Sequence, residues 1–172
     1  MITRKKILLL GDINSIHLQK WILGLKSNYD LTVFSLDPLE VETEKLNGIA
    51  LHTNSEKTTN KSSKLFYLKS IRYFRKLHKE IKPDFVHSHY ATSYGLLGAL
   101  LNPKSFYISV WGSDVYEFPQ KSMIHKFVLK RLLNRATKLF STSENMKLEL
   151  QNYTSKEILV IPFGVNLADY KN

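Results

Sequence analysis

The stretch KKILLLGDINS, residues 5–15, sets a pattern that the rest of the chain repeats. Its apolar run ILLL has the length and composition of a buried β-strand. The run ends at Gly11 and Asp12, residue types that form turns, and either Asn14 or Ser15 can cap a following helix. The stretch therefore predicts a strand that turns at once into a helix.

Short β-rich runs alternate with longer amphipathic runs along the chain, which is typical of a parallel sheet with helices on both faces. The predicted strands are residues 5–10, 31–36, 49–52, 84–88, 105–110, 138–142 and 157–161. The predicted helices are residues 15–27, 64–81, 92–101, 121–136 and 143–152, with a polar loop at 53–64. The sequence thus predicts an α/β fold, a Rossmann-like parallel sheet of about seven strands.

The composition limits the class of protein. A chain of 172 residues with 43% hydrophobic content suits one packed domain. It contains no cysteine, which excludes disulfides and thiolate metal sites and fits a reducing cytoplasm. Its apolar runs fall far short of the roughly 20 residues of a membrane-spanning helix. We therefore expect a cytoplasmic protein.

Positive charge is concentrated in two parts of the chain. The net charge is +10, and residues 60–84 hold eight basic and two acidic side chains, while residues 121–138 hold six basic and none acidic. Such an excess favours a negatively charged partner, which can be a membrane surface, a phosphate or a nucleic acid.

Both basic segments are predicted to be helices with a positive outer face. In helix 64–81 the apolar side holds Phe66, Tyr73, Phe74, Leu77 and Ile81, and the other side holds Lys69, Arg72, Arg75, Lys76 and Lys79. In helix 121–136, Met123, Ile124 and Phe127 fall among cations, as in helices that lie on anionic lipid. The predicted membrane-facing residues are Lys126, Phe127, Lys130, Arg131 and Arg135. The alternative is a solvated helix whose extra apolar residues meet a neighbouring loop.

The carboxyl ends of the predicted strands carry the candidate site, because ligands of open α/β sheets bind outside those ends. The segments expected there are GDINS at 11–15, HSHY at 87–90, WGSD at 111–114, TSE at 142–144 and PFG at 162–164. They contain no G-x-G-x-x-G spacing, so a dinucleotide fingerprint is not predicted.

Each candidate also has a structural alternative. His87 is expected in the core, whereas His89 suits proton exchange or a hydrogen bond to a hydroxyl group. The two histidines lack a third ligand with suitable spacing, so no metal site is predicted. Trp111 can stack on a sugar ring or belong to the core. Asp114 can accept hydroxyl hydrogens or cap the segment that follows it.

Five stretches together resemble the N-terminal, acceptor-side domain of GT-B glycosyltransferases of the family 4 type. The resemblance covers nearly the whole chain, and Ser15, His17 and Trp21 stand at characteristic places in its first stretch. The five are KILLLGDINSIHLQKWILGLKSNYDLTVFSL, KPDFVHSHYATSYGLLGAL, SVWGSDV, STSENMKLEL and VIPFGVNLADYK.

The resemblance implies one half of a retaining glycosyltransferase that acts without a metal or cofactor. Its donor substrate is a nucleotide-sugar bound mainly by a second domain, and its acceptor is a sugar or lipid-linked hydroxyl in polysaccharide or glycolipid synthesis. Residues 1–165 are then the acceptor-side domain and residues 166–172 the start of the linker. The donor half is absent, so this chain alone is not expected to transfer sugar.

The same resemblance assigns roles to site residues. Gly11 and Asp12 would face the donor phosphates. The acceptor pocket would be shaped by His17, His89, Trp111, Gly112, Ser113 and Asp114. Many relatives carry a histidine at the position of Trp111, next to the donor sugar. The catalytic group therefore stays open, with His89 and Asp114 as candidates.

The expected partners are an acceptor, the chain's own C-terminal domain and the anionic inner face of the plasma membrane. A different class of function is a basic module that binds nucleic acid. We do not expect it, because no RNA- or DNA-binding motif is present and most aromatic residues are predicted to lie on buried sides. A flavodoxin-like or epimerase-like domain would share the predicted fold.

Overall fold

The computed structural model describes residues 4–40, 46–53 and 64–164. The strands are β1 Lys6–Leu10, β2 Asp30–Ser35, β3 Ala50–Thr53, β4 Phe85–His89, β5 Phe106–Ser109, β6 Lys138–Ser141 and β7 Ile158–Val160. The helices are α1 Ile16–Leu25, α2 Lys64–Ile81, α3 Ser93–Leu101, α4 Ser113–Tyr116, α5 Met123–Arg135 and α6 Glu144–Leu150, with a 3₁₀ turn at Phe118–Gln120.

The seven strands form one parallel sheet in the order β3-β2-β1-β4-β5-β6-β7. This confirms the predicted fold class. The chain moves outward from β1 to β3 and then returns to the other side of β1, where Leu9 pairs with His87 of β4. The strand order therefore reverses between β1 and β4, and this reversal opens a crevice at the carboxyl edge of a parallel sheet.

The two faces of the sheet are covered unequally. Leu18 and Ile22 of α1 pack with Ile7 and Leu9 on one face. The other face carries α2, α3, α5 and α6, which bury a larger core around Leu8. Among the described residues, α1 is the one helix packed on its face, so the β4–β6 region beside it is filled by aromatic side chains instead.

A glycine allows α3 to approach the sheet closely. A Cβ added at Gly98 would lie 2.4 Å from a ring carbon of Phe106 and 2.6 Å from the Oγ of Ser88. No real Cβ atom tolerates such contacts. Gly98 therefore sets the depth at which α3 sits over β4 and β5, the two strands that end at the candidate site.

The predicted helices and strands agree with the observed ones except at two short elements. α4 and the 3₁₀ turn were not predicted, since neither shows a helical repeat. Tyr73, predicted on the inner side of α2, is 43% exposed, whereas Phe74 and Leu77 are buried as expected. The side chains of Phe66 and Lys69, most of the predicted loop 53–64 and the predicted linker 166–172 lie outside the described residues.

Candidate functional site

The turn after β1 is a capped helix start. Asp12 Oδ1 accepts a hydrogen bond from the Asn14 N–H at 3.0 Å, and Ser15 Oγ accepts one from the His17 N–H at 3.3 Å. Ser15 is thus the N-cap of α1, one of the two residues predicted for it. A Cβ at Gly11 would lie 3.2 Å from the Cβ of His89, so the ends of β1 and β4 are in close contact.

Asp114 binds backbone groups of two neighbouring loops. The residue is buried, and its Oδ2 accepts from the Ala91 N–H at 2.7 Å, while its Oδ1 accepts from the Gly112 and Trp111 N–H groups at 2.9 and 3.1 Å. Burial raises the pKa of Asp114, and the three N–H groups oppose that rise. These donors all precede Asp114, and α4 has Gly112 as its N-cap with no side-chain cap bond, so Asp114 joins two loops and does not cap the segment that follows it. The carboxylate presents no exposed surface to a substrate.

Tyr90 is held in an unfavourable backbone conformation beside Asp114. Its φ angle is 87°, in the left-handed region that aromatic residues avoid. Its hydroxyl group lies 2.7 Å from the Oγ of Ser113, which links the loop after β4 to α4. Such strain persists where the surrounding contacts impose it, often at functional sites. Gly112, in the loop after β5, also has a positive φ, at 137°.

His87 and His89 lie on the same face of β4, with ring centroids 4.2 Å apart. His87 belongs to the core, as predicted, and its Nε2 is 2.8 Å from the Oγ of Ser109. Burial lowers the pKa of His87 to about 3, and burial together with His87 holds the pKa of His89 well below its usual range. Both rings are therefore neutral at physiological pH.

His89 is more deeply placed than the sequence indicates. Its side chain has no exposed surface, and its ring contacts Trp21 at 5.3 Å and Trp111 at 5.6 Å between centroids. Neither ring nitrogen has a hydrogen-bond partner among the described residues. The strand pattern predicts the face on which a side chain lies but not how many layers cover it.

A second aromatic group covers this histidine from the edge of the sheet. The rings of His17 and Phe163 are stacked at 3.7 Å, and Trp111 lies edge-on to both at 5.8 Å. Desolvation, followed by the charge of Lys20, lowers the pKa of His17. The Lys20 ammonium group donates a hydrogen bond to the Gly164 carbonyl oxygen at 2.8 Å.

The structure therefore brings together Gly11, His17, His89 and Trp111, four of the predicted site residues. Sequence reasoning gave no role of its own to Trp21 or Phe163. Trp21 follows His17 by four residues, which is the spacing of one helical face, and that spacing was the available signal. A cavity of about 360 Å³ lies beside them, between α1 and the segment after β7.

The outer side of α5 carries the apolar residues that the sequence places among cations. Met123, Ile124 and Phe127 are 79%, 73% and 61% exposed. The inner side, Leu129, Leu132, Leu133 and Ala136 with partly buried Val128, faces the core as predicted. Within the described part of the chain, no helix has both the length and the hydropathy needed to span a membrane.

Three of the predicted membrane-facing cations have partners in the protein. Arg135 donates a hydrogen bond to the Oδ1 of Asn102 at 2.6 Å, and Lys126 lies over the ring of Tyr153. Arg131 stacks on Phe127 at 5.9 Å. On α2, the cations Arg72, Arg75, Lys76 and Lys79 line a separate cavity of about 470 Å³ with Ile71.

Several solved structures of larger proteins contain this architecture, and in the examples that follow it makes up about one half of the chain. Sucrose-phosphate synthase from Thermosynechococcus elongatus matches with a TM-score of 0.70 and 17% identity, over 96% of this chain and 49% of the other. A glycosyltransferase from Rickettsia africae matches with a TM-score of 0.70 and 19% identity, over 98% and 45%.

A UDP-GlcNAc 2-epimerase from Neisseria meningitidis matches with a TM-score of 0.64 and 16% identity, over 92% of this chain and 46% of the other. These likenesses show the fold, and this chain spans less than half the length of each of the three proteins. No curated protein sequence gives a match.

A match to a protein family is more specific evidence of what this chain is than the shared fold. The family described as glycosyl transferase 4-like matches residues 6–143, from the start of β1 to the N-cap of α6. The match includes the turn after β1, both histidines of β4 and the loop that holds Trp111 and Asp114. The chain therefore belongs to the glycosyl transferase 4-like family.

Proposed function

We propose that the chain is the acceptor-side domain of a glycosyltransferase that transfers a sugar from a nucleotide-sugar to an acceptor hydroxyl group. The observation that carries the proposal is the aromatic and histidine cluster of His17, Trp21, His89 and Trp111. It lies where the strand order reverses, at the edge where such sheets bind ligands. Membership of the family supports the same class of reaction.

The chemistry of the cluster fits the positioning of an uncharged substrate group. Buried neutral imidazoles and an indole N–H offer hydrogen bonds to hydroxyl groups, and the ring faces pack against C–H groups. They carry no charge that could stabilise a departing diphosphate. The capped turn at Gly11 and Asp12, next to the positive end of α1, would help to stabilise the diphosphate. A second domain would contribute most of that stabilisation.

The finer parts of the proposal follow from the family and from the span of the chain. The transfer retains the configuration of the sugar, requires no metal or cofactor, and serves polysaccharide or glycolipid synthesis. This chain spans less than half of the length of the matched sucrose-phosphate synthase and of the matched glycosyltransferase. We therefore propose that it binds its acceptor but is inactive without a donor-binding domain.

A transfer assay tests the reaction class. The longest reading frame that contains this chain is incubated with radiolabelled nucleotide-sugars and a membrane extract. We expect label in a glycosidic product whose anomeric configuration matches that of the donor. Epimerases share the fold, so release of a C2-epimerised sugar without any acceptor product would contradict the proposal in favour of an epimerase.

We further propose that the outer side of α5 contacts anionic lipid at the cytoplasmic face of a membrane. Met123, Ile124 and Phe127 are exposed beside Lys130 and Arg131, an arrangement in which apolar groups enter the interface and cations meet lipid phosphates. An acceptor attached to lipid would then be presented to the domain. The basic outer side of α2 would add electrostatic attraction.

Vesicle sedimentation tests this contact. We expect binding to vesicles that contain anionic lipid, a loss of most of it in Ile124→Ala/Phe127→Ala, and little change in Leu148→Ala. Leu148 is a matched control because it is 61% exposed, like Phe127, but lies on α6. Equal binding to neutral and anionic vesicles would contradict the proposal.

A further inference from the structure

Four nitrogen atoms in the aromatic cluster lack a hydrogen-bond partner among the described residues. They are the Nδ1 of His17, the Nδ1 and Nε2 of His89, and the Nε1 of Trp111. All four are buried, and the whole His89 side chain is without exposed surface. Buried polar groups in folded proteins are nearly always hydrogen-bonded, so four such atoms in one place require an explanation.

The three side chains that carry these atoms form one continuous group. Trp111 lies between the other two, with its ring 5.6 Å from that of His89 and 5.8 Å from that of His17. They belong to three elements, α1, β4 and the loop after β5, which meet at the reversal of strand order. The unpartnered atoms therefore gather at the edge of the sheet where ligands are expected.

Phe163 closes this group from outside. Its ring stacks on His17 at 3.7 Å with an angle of 14° between the planes, and it meets Trp111 edge-on at 5.8 Å. Phe163 thus packs on two of the rings that carry unpartnered nitrogens, and its phenyl group can offer them no hydrogen bond.

Among the described residues, the segment that carries Phe163 is tied to the sheet at its start, where the Ile161 N–H donates a hydrogen bond to the Ser141 carbonyl oxygen at 2.8 Å. It follows β7 as the exposed residues Ile161 and Pro162, and Gly164 is anchored through its carbonyl oxygen by the Lys20 ammonium group. The cavity of about 360 Å³ beside Phe163 provides space between this segment and Gly24 of α1. Movement of the ring thus requires few contacts to break.

We propose that Phe163 is a plug over a subsite that takes an uncharged hydroxylated group, such as a sugar ring. In the closed state the four nitrogens are buried without partners, which costs free energy. A ligand that displaces the ring and bonds to these atoms removes that cost, so binding and opening are coupled. The inference rests on the proposed function and specifies which part of the substrate this half receives.

The neutral state of the rings determines the class of ligand. A neutral imidazole offers one donor and one acceptor, and an indole offers one donor. A hydroxyl group can serve both kinds of atom. A phosphate offers mainly acceptor atoms, and its charge would be buried among rings that carry none.

Diethyl pyrocarbonate, which acylates accessible neutral imidazoles, tests the plug on the 172-residue chain. In Phe163→Ala we expect His17, on whose ring Phe163 stacks, to react about tenfold faster than in the unaltered chain, because the lost packing of a half-buried ring is worth about that factor. His52, His78 and His125 should react at unchanged rates. Peptide mass spectrometry separates the six histidines.

Two control variants and a ligand panel complete the test. Leu159→Ala removes an exposed apolar side chain from β7, just before that segment, and Phe163→Tyr keeps the stacked ring. In both variants His17 should react as in the unaltered chain. Methyl hexosides should protect His17 in Phe163→Ala, and inorganic phosphate should not. Unchanged reactivity in Phe163→Ala, protection by phosphate, or no protection by any glycoside would each overturn the proposal.

This test is independent of the transfer reaction. It measures access to the His17 side chain and needs neither a donor nor a second domain. A chain that fails to transfer sugar but opens and binds glycosides would refute the proposed reaction alone. A chain that transfers sugar with an unchanged reactivity in Phe163→Ala would refute the plug alone.

Discussion

At the scale of single residues, Asp114 connects the loops that form the candidate site. Its carboxylate accepts three backbone hydrogen bonds from residues of two loops. In Asp114→Asn an amide NH₂ group must face at least one of these donors, and buried N–H groups lose a charged partner. We expect the free energy of unfolding to fall by about 2–3 kcal/mol, measured in urea.

Asp84 provides a matched control for this substitution. Its Oδ2 accepts one bond, from the Lys6 N–H at 2.8 Å, at an exposed position. Asp84→Asn should therefore cost less than about 1 kcal/mol. Equal effects of the two substitutions would contradict the role given to Asp114.

The buried histidines make the stability of the domain depend on pH. The pKa of His87 is depressed to about 3 in the folded chain, whereas an unfolded chain has the ordinary value near 6.5. Between these values the unfolded state binds more protons, so the stability present above pH 6.5 is lost as the pH falls towards 3. From pH 7 to 5 we expect His87 alone to remove about 2 kcal/mol.

Urea unfolding at the two pH values measures this loss. The pKa of His89 is shifted in the same direction and should add to the effect. The substitution His87→Gln removes one titrating ring and should reduce the dependence on pH. A free energy of unfolding that stays constant from pH 7 to 5 would show that the rings are not buried and neutral.

The sequence predicted where these residues lie in the fold better than it predicted which residues surround them. The spacing of His87 and His89 correctly placed both on one face of β4. It could not show that Trp21 and Trp111 cover His89, because those residues come from other elements. The positive φ of Tyr90 likewise depends on contacts made by Ser113 and Asp114, not on the residue itself.

At the scale of elements, we expect replacement of glycine by alanine to have opposite effects at Gly98 and at Gly24. Gly98→Ala forces a Cβ against Phe106 and Ser88, and we expect a loss of about 1–3 kcal/mol from overpacking. Gly24, in α1, has nothing within 4 Å of such a Cβ. Gly24→Ala should therefore stabilise the chain by about 0.5–1 kcal/mol through its higher helix propensity.

Thermal unfolding of both variants provides the measurement. A neutral or stabilising Gly98→Ala would show that α3 does not pack on β4 and β5 as closely as described. Because the two glycines both lie in helices, their difference isolates the effect of space from that of helix propensity.

The longer elements could be predicted because each carries its own periodic signal. The apolar runs locate the strands, and the stripe of Leu129, Leu132 and Leu133 locates the inner side of α5. α4 has only four residues and begins where Asp114 binds the backbone of its own loop. Its position is set by tertiary contacts, so the local sequence does not predict it.

At the scale of the whole molecule, the parallel sheet explains why distant residues meet. Residues from α1, from the ends of β4 and β5, and from the segment after β7 lie at one edge because every strand points the same way. The alternation of strands and helices predicts that edge. It does not predict that the helices other than α1 pack on the opposite face, which leaves aromatic side chains to fill the region around His89.

We propose that the carboxyl edge between β1 and β4 receives the sugar of the substrate. The most direct measurement is a titration of the ¹⁵N-labelled chain with methyl hexosides, followed by NMR. The chain has two tryptophans, so its two indole N–H signals report on the cluster. We predict that the Trp111 signal moves with the amides of residues 88–91, while those of β3 do not. Shifts confined to β3 or α2, or none at saturating glycoside, would contradict the account.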